Sequence, residues 1–425
     1  MAFARKLLPF GLLQLCHILY PPLLYNAISQ MSEAKMNNNS YLVNLSCSSC
    51  GKSYPSDVVQ TYCLDCKAPL LASYDLAAIK NSLDRNVFSQ RQKGMWRWFE
   101  LLPLYDPSNV VSLGEGDTPL LKLKSIGKQL GLHSLYMKEE GLNPTGSFKA
   151  RGLSAAISKA GELGIKKVVI PSAGNAGGAL AAYAARAGMQ ALIYMPKSSP
   201  QANIVESQIT GARVELVEGL IDLAGKFAEQ KVVSEGWFNM STFKEPYRVE
   251  GKKILGYEIA ESLAWKLPDV ILYPTGGGTG LVGMWKAFKE LEQLGWLESK
   301  RMPRMIAVQA ESCAPVVSAI ESDKPQCDYW ERAHTIATGL CVPKSFADQL
   351  ILKDIRESKG TAVSVSDEEI STYQRKLAEG EGIFACPEGA ATVAALEKLI
   401  ERHEILPEET IIIFNTGSGV KYIHP

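Results

Sequence analysis

Short apolar runs recur along the chain, separated by longer stretches of helical periodicity. The runs at Val168 to Pro171, Ala191 to Tyr194, Val214 to Val217, Val270 to Tyr273, Met305 to Gln309 and Thr410 to Phe414 have the length and β-branched content of buried strands. Strands that alternate with helices across short turns predict an α/β fold, a parallel sheet covered by helices on both faces. Its ligand should lie at the carboxyl ends of the strands. Ser134 to Lys138 reads as a further strand, Asn143-Pro144 and Gly146 as a forced turn, and Ser147 to Leu163 as a helix. Upstream, Ala77 to Tyr105 reads as a helical stretch, and Val110 to Leu120 as a strand with a Gly-rich turn. No internal repeat or low-complexity tract interrupts the pattern.

Composition adds limits. The 425 residues carry 45 Lys and Arg against 45 Asp and Glu, with 46% apolar content, which fits a soluble globular protein of two or three domains. With no basic excess, nothing points to a nucleic-acid partner. Met1 to Gln30 is compositionally foreign: Arg5 and Lys6 precede an apolar stretch from Leu7 to Leu24, and the first acidic residue is Glu33. Pro9, Pro21 and Pro22 break that stretch, Gln14 and His17 interrupt it, and no clear small-residue cleavage site follows. Neither a membrane span nor an export signal is expected; an over-extended translation start is, with Met31 or Met36 the real beginning.

Cys47-Ser-Ser-Cys50-Gly51 is answered by Cys63-Leu-Asp-Cys66-Lys67. Two Cys-x-x-Cys pairs a short hairpin apart make a tetrahedral thiolate cage, each pair supplying two sulfurs from one tight turn. Cys47, Cys50, Cys63 and Cys66 are therefore expected to hold a structural zinc ion, with no position left open for metal chemistry. Two disulfides or four unrelated thiols are the alternatives. The other cysteines, Cys16, Cys313, Cys327, Cys341 and Cys386, are scattered singly, as in a reduced cytoplasmic protein.

The run Gly141-Leu-Asn-Pro-Thr-Gly-Ser-Phe-Lys-Ala-Arg-Gly152 delivers Lys149 to the first turn of a helix, where the dipole disfavours an ammonium. Beside Phe148 its amine is expected to have a lowered pKa, and a neutral amine is what attacks an aldehyde. Taken alone, Lys149 reads as a solvated surface lysine ahead of a helix; the rest of the chain reverses that. Three strand-end loops accompany it. Pro171-Ser-Ala-Gly-Asn-Ala-Gly-Gly178 leads into the helix Ala179 to Ala187 and carries Asn175 as its one amide side chain; a tight turn with an Asn cap is the alternative. Pro274-Thr-Gly-Gly-Gly-Thr-Gly280, before a helix beginning near Leu281, can point several amides at one phosphate, with the Thr279 hydroxyl as an extra donor. It lacks the lysine of a nucleotide-triphosphatase loop, while Gly278-Thr-Gly280-Leu-Val-Gly283 with Glu311 also fits a dinucleotide fingerprint. Phe414-Asn-Thr-Gly-Ser-Gly419 offers Thr416 and Ser418 as hydroxyls for a ring nitrogen.

Together these parts form a kit for pyridoxal phosphate: an amine for its aldehyde, a glycine cradle for its phosphate, an amide for its ring oxygen and a hydroxyl for its ring nitrogen. Asn143-Pro-Thr-Gly-Ser-Phe-Lys-Ala-Arg-Gly152, Ser172-Ala-Gly-Asn-Ala-Gly177, Thr275 to Gly280 and Asn415-Thr-Gly-Ser418 resemble the motif set of the fold-type-II pyridoxal-phosphate enzymes, and within them the threonine synthase group. Phe243-Lys-Glu-Pro-Tyr-Arg-Val-Glu-Gly251 and Pro387-Glu-Gly-Ala-Ala391 belong to the same likeness, which runs from the Cys47 ribbon to the end of the chain. It implies a tryptophan synthase β-like fold of two parallel-sheet α/β domains with an N-terminal zinc-ribbon-like segment. The implied division is an extension at 1–36, the ribbon at 41–75 and a catalytic region at 76–425, with a smaller moving subdomain at about 150–245.

By that resemblance Lys149 holds the cofactor aldehyde and then serves as base and acid. Gly276, Gly277, Gly278, Thr279 and Gly280 hold the cofactor phosphate, Asn175 its phenolic oxygen and Thr416 its pyridine nitrogen. A hydroxyl at that nitrogen does not enforce a pyridinium, which supports elimination or replacement over transamination. The implied reaction converts O-phosphohomoserine and water into threonine and phosphate, in a cytoplasmic homodimer that takes a small-molecule amino-acid substrate and has no membrane partner. Ser172, Arg151, Lys244 and Arg248 are the candidate substrate contacts, the last three as cations for the dianionic leaving group. The all-glycine Gly276 to Gly278 also resembles serine or threonine ammonia-lyases. Such a lyase, a cysteate-type synthase using phosphoserine and sulfite, and a ligand-binding relative that keeps the cofactor without turnover are the alternatives.

Overall fold

The computed structural model of the chain describes residues 40–219 and 221–423. The expectations for Met1 to Gln30, including the position of the true start, fall outside them. An antiparallel ribbon comes first, in which β1 (Leu42–Cys47) pairs with both β2 (Ser53–Tyr54) and β3 (Leu70–Tyr74). After helix α1 (Leu76–Ser82) come β4 (Leu120–Lys122), α2 (Lys124–Gln129), β5 (Ser134–Glu139) and α3 (Lys149–Glu162). The chain then runs through β6 (Lys167–Pro171), α4 (Asn175–Arg186), β7 (Gln190–Pro196), α5 (Gln201–Ile209), β8 (Arg213–Val217), α6 (Ile221–Glu235) and β9 (Phe238–Asn239). It returns through α7 (Arg248–Ser262), β10 (Val270–Pro274), α8 (Thr279–Leu294), β11 (Arg304–Ala310), α9 (Pro315–Glu321) and α10 (Asp348–Glu357). Last come β12 (Ala362–Val365), α11 (Asp367–Glu381), α12 (Pro387–Glu401) and β13 (Thr410–Asn415).

Two sheets follow from this alternation. A six-stranded sheet has the order β12-β11-β10-β13-β5-β4 and is parallel except at its edge, where β4 runs antiparallel to β5. A separate sheet, β8-β7-β6-β9, is parallel throughout. Successive strand residues point to opposite faces, and both faces are covered. In β10, Ile271 and Tyr273 join one apolar cluster while Val270 and Leu272 join another. In β6, Val168 and Ile170 face one cluster and Val169 the other. That is why these strands read as unbroken apolar runs instead of alternating ones. No described helix is long and apolar enough to cross a membrane.

Two expectations need correction. Ala77 to Tyr105 is not one helical stretch: beyond α1 it forms two short 3-10 segments, Arg85–Gln90 and Met95–Leu101. The Asp84 side chain caps the first by accepting from Asn86 N, and Gly94, at φ 123°, sits where the second begins. Apolar residues here gather around fully buried Trp98, whose ring lies 4.3 Å from that of Phe88, so they follow a cluster and not a helical stripe. Val110 to Leu120 is likewise not a strand; β4 begins only at Leu120. Val111 is pinned instead by α3, its N–H donating to Ser158 Oγ and its carbonyl accepting from Ser154 Oγ. The short strands β9 and β12 were not foreseen, since too few residues carry a pattern there.

Candidate functional site

The loops after β6, β10 and β13 converge on one cavity of about 580 Å³, which Lys149 also lines. The turn that carries Lys149 is tied to the end of β13 by backbone bonds: Phe148 N donates to Thr416 O at 3.1 Å, and Ser418 N to Gly146 O at 2.9 Å. Thr145 and Gly146 both take positive φ, near 60°, which lets the chain reverse before α3. Lys149 is the first residue of α3, as the sequence pattern predicts. It is half-buried and lines the cavity, and its Nζ lies 3.9 Å from the centre of the Phe148 ring. Its pKa is lowered to about 8, by burial first and then by the nearby Arg248 guanidinium, with the Glu388 carboxylate opposing.

The loop after β10 is built to be approached through its backbone. A Cβ on Gly276 would lie 2.2 Å from the Gly339 carbonyl oxygen, one on Gly277 2.9 Å from Thr242, and one on Gly280 2.0 Å from the Tyr273 hydroxyl. Gly278 sits at φ 79°, a left-handed value that glycine adopts freely. The helix starts at Thr279, two residues ahead of the expected Leu281, so Thr279 and Gly280 stand in its first turn. None of the N–H groups of Gly276, Gly277, Gly278, Thr279 and Gly280 finds a backbone acceptor among the described residues. Five free donors at the start of a 16-residue helix make an anion site of the size and chemistry of a phosphate.

Asn175 begins α4 and lines the cavity, with Nδ2 donating to the Tyr422 hydroxyl at 3.2 Å while Oδ1 is buried without a partner. Ser172 also lines it, but its hydroxyl accepts from Gly174 N and Gly177 N and donates to Gly174 O, which shapes the turn. Thr416 lines the opposite wall with Oγ1 3.6 Å from the Cys386 thiol. An amine, an amide, a hydroxyl and a row of free N–H groups in one cavity fit pyridoxal phosphate group by group.

The four substrate candidates separate. Arg151 is fully buried and lies outside the cavity lining. Its guanidinium is held by Glu140 at 2.6 Å and Glu258 at 2.7 Å, with Lys138 also on Glu258 at 2.7 Å. The leaving-group role assigned to Arg151 is corrected accordingly: this charge is already neutralised inside a closed cluster behind α3. Arg248 and Lys244 do line the cavity. Arg248 donates to Met240 O at 2.6 Å, while its Nε is buried without a partner. Burial pushes its neighbour Glu245 up to about 7, so the guanidinium is only partly compensated near neutral pH. Lys244 lies 3.5 Å from Glu229 on the more open side. Sequence reading missed Glu388, Tyr422 and Lys252. Lys252 is fully buried with an unpartnered Nζ, and burial with the Arg248 and Lys149 charges holds it well below the usual lysine range. Nothing in the spacing of these residues marks them; they meet Lys149 only through the fold.

Away from the cavity, the four ribbon sulfurs of Cys47, Cys50, Cys63 and Cys66 lie within 4.8 Å of one another. Cys47 and Cys66 are 3.3 Å apart and Cys50 and Cys63 3.8 Å. Tetrahedral zinc with thiolates at ~2.3 Å spaces its sulfurs about 3.8 Å apart, so the set fits a structural zinc ion.

The family model described as "Pyridoxal-phosphate dependent enzyme" matches residues 111–417. A threonine synthase from Methanocaldococcus jannaschii is 36% identical over 88% of this chain and 92% of its own length. One from Methanosarcina acetivorans is 36% identical over 89% and 92%. Among solved structures, maize serine racemase superposes with TM-score 0.62 at 22% identity, covering 71% of this chain and 88% of that one. An O-ureido-L-serine synthase does so with TM-score 0.62 at 21% identity, covering 76% and 95%. At those identities the two structures show a shared fold.

Two outcomes are expected. Below about pH 8 the Lys149 amine is protonated and above it neutral, so protein stripped of cofactor should react with added pyridoxal phosphate faster as pH rises and level off above that point. Stopped-flow absorbance reads the rate, and a rate still climbing steeply beyond pH 9, roughly one unit higher, contradicts the lowered pKa. For the ribbon, elemental analysis should find one zinc per chain, released together with four alkylatable thiols on chelation. Metal-free protein whose four thiols are freely alkylated before any chelator is added contradicts the site.

Proposed function

Because the chain belongs to the fold-type-II pyridoxal-phosphate-dependent enzymes, and within them to the threonine synthases, we propose that it converts O-phosphohomoserine and water into L-threonine and phosphate. The observation that carries the substrate choice is a pair of cations in the cavity, separate from the amide cradle. Besides the free amides of Gly276 to Gly280, the incompletely compensated Arg248 and the more open Lys244 line it. A single phosphate needs only one such set, whereas a phosphorylated substrate beside a phosphorylated cofactor needs two. The substrates of a serine or threonine ammonia-lyase bring no second phosphate.

The cofactor, when bound, supplies an electron sink that acidifies the protons on Cα and Cβ of an amino acid. The side chains do the rest. Lys149, its pKa lowered to about 8, takes the Cα proton and moves a proton at Cβ. Arg248 and Lys244 hold the phosphate as the Cγ–O bond breaks and the electron pair leaves with it. Cγ takes up the proton removed from Cβ to become a methyl group, water adds its hydroxyl at Cβ and leaves its other proton on the departed phosphate, and Lys149 returns the proton to Cα. Asn175 would hold the cofactor ring at its phenolic oxygen and Thr416 at its ring nitrogen, where a hydroxyl would not enforce a pyridinium. The sheet β8-β7-β6-β9 is separate from the six-stranded one and shares one of its two apolar layers with the ribbon; its separateness supports a smaller moving subdomain at about 150–245. The same reading makes the enzyme a cytoplasmic homodimer, checked by light scattering of the purified protein and by fractionation of cells.

Incubation with O-phosphohomoserine should release phosphate and threonine in equal amounts. Lys149→Ala should lose turnover, and Lys244→Met should raise KM about tenfold for a charge-assisted contact. Ammonia and a 2-oxo acid from threonine alone, or sulfite consumed with phosphoserine, would replace this assignment with a lyase or a cysteate-type synthase.

A further inference from the structure

The cavity wall holds a hydrogen-bonded array of which the reaction outlined above uses only Asn175. Asn175 Nδ2 donates to the Tyr422 hydroxyl at 3.2 Å, and that hydroxyl donates to Glu388 Oε1 at 3.0 Å. The same oxygen accepts from Gly339 N at 2.7 Å. All three side chains line the cavity, and Glu388 is 4% exposed with Oε2 buried and unpartnered. The array ties together three distant parts of the chain: the start of α4, the start of α12 and the C-terminal 3-10 turn Gly419–Tyr422.

Each bond has a direction, and the directions agree. Glu388 accepts only, so Tyr422 must donate to it; the Tyr422 oxygen is then free to accept, and the only group of Asn175 that can donate is its NH₂. The amide is thereby locked with one N–H spent on Tyr422. Its second N–H is left for a ligand, and Oδ1 is kept away from Tyr422. An asparagine without such a partner can turn over and present its carbonyl oxygen to a phenolate, which would repel it. Resting on the proposed cofactor role of Asn175, we infer that Tyr422 and Glu388 are positioning residues that fix the Asn175 amide in the orientation that donates to the phenolic oxygen of pyridoxal phosphate. Burial and the Glu388 carboxylate keep the Tyr422 hydroxyl protonated, as donation requires. The charged and titratable groups that face the array and its neighbour Lys149 are Arg248, Lys252, Cys386 and Lys421.

The test uses full-length protein reconstituted with pyridoxal phosphate. Tyr422→Phe keeps the ring and removes the hydroxyl; Glu388→Gln keeps the shape and replaces the acceptor-only carboxylate by an amide that can also donate, so that the direction of the Tyr422 bond is no longer fixed. Loss of the fixed donor should shift the visible absorption of the bound cofactor and the pH at which it changes, most in Tyr422→Phe and in the same sense in Glu388→Gln. Cofactor affinity should fall about tenfold with the lost hydrogen bond. If Tyr422→Phe does not fold, Glu388→Gln carries the same spectroscopic test. Weakened affinity with spectrum and pH midpoint both unchanged in the folded variants overturns the inference, because a merely structural role would do that. Wild-type protein that takes up no cofactor at all would overturn the proposed function itself, a result distinct from the first.

Discussion

The rest of the structure depends on one constraint: a lysine amine is held in the cavity wall, where burial and a guanidinium work against its proton and only the Glu388 carboxylate offsets them. Protein atoms surround Lys149 and its nearest strong charge is a guanidinium, so burial and repulsion act in the same direction on its proton. Such a group is costly to hold, and its turn is clamped accordingly. Two backbone bonds tie it to the end of the central strand β13, and Arg151, two residues further on, is anchored in a closed cluster with Glu140 and Glu258. That cluster has a mechanical role. It fixes the first turn of α3 through buried ion pairs, and removing one partner would strand the other charges in a dry interior.

The remaining walls are arranged around that amine. The glycine loop packs against Gly339 and Thr242, and the segment that contains Gly339 continues to Ser345, whose hydroxyl donates to the Gly277 carbonyl at 3.2 Å. Its next residue, Phe346, meets the ribbon at Tyr62 with ring centroids 5.4 Å apart. The four-cysteine ribbon therefore reaches the cavity wall through an aromatic contact beside Cys63, besides the apolar cluster it shares with α3, β6 and α4. Zinc on its four thiolates would make the ribbon a firm support for a segment that has no regular secondary structure of its own.

Much of this was legible in the sequence, and the division is physical. The strands β6, β10 and β13 are buried on both faces and read as apolar runs; the loops that follow them are set by glycine and by residues a few positions apart. The Cys-x-x-Cys pairs are equally local. Arg151 misled for the opposite reason: it sits two residues from Lys149 in the chain, but its partner Glu258 is 107 positions away, and no local pattern announces a buried ion pair. Tyr422 and Glu388 escaped for the same cause, being 34 positions apart and joined to Asn175 across 247. The stretch Ala77 to Tyr105 shows the further limit that a cluster of large side chains resembles helical periodicity when only spacing is seen.

The central claim is that Lys149 is the one side chain joined to the cofactor. Reduction of the holoprotein with borohydride, followed by proteolysis and mass spectrometry, tests it most directly. A single pyridoxyl-modified peptide with the label on Lys149 is the predicted result. A label on Lys252, Lys244 or any other lysine, or a holoprotein that yields no labelled peptide, would contradict it.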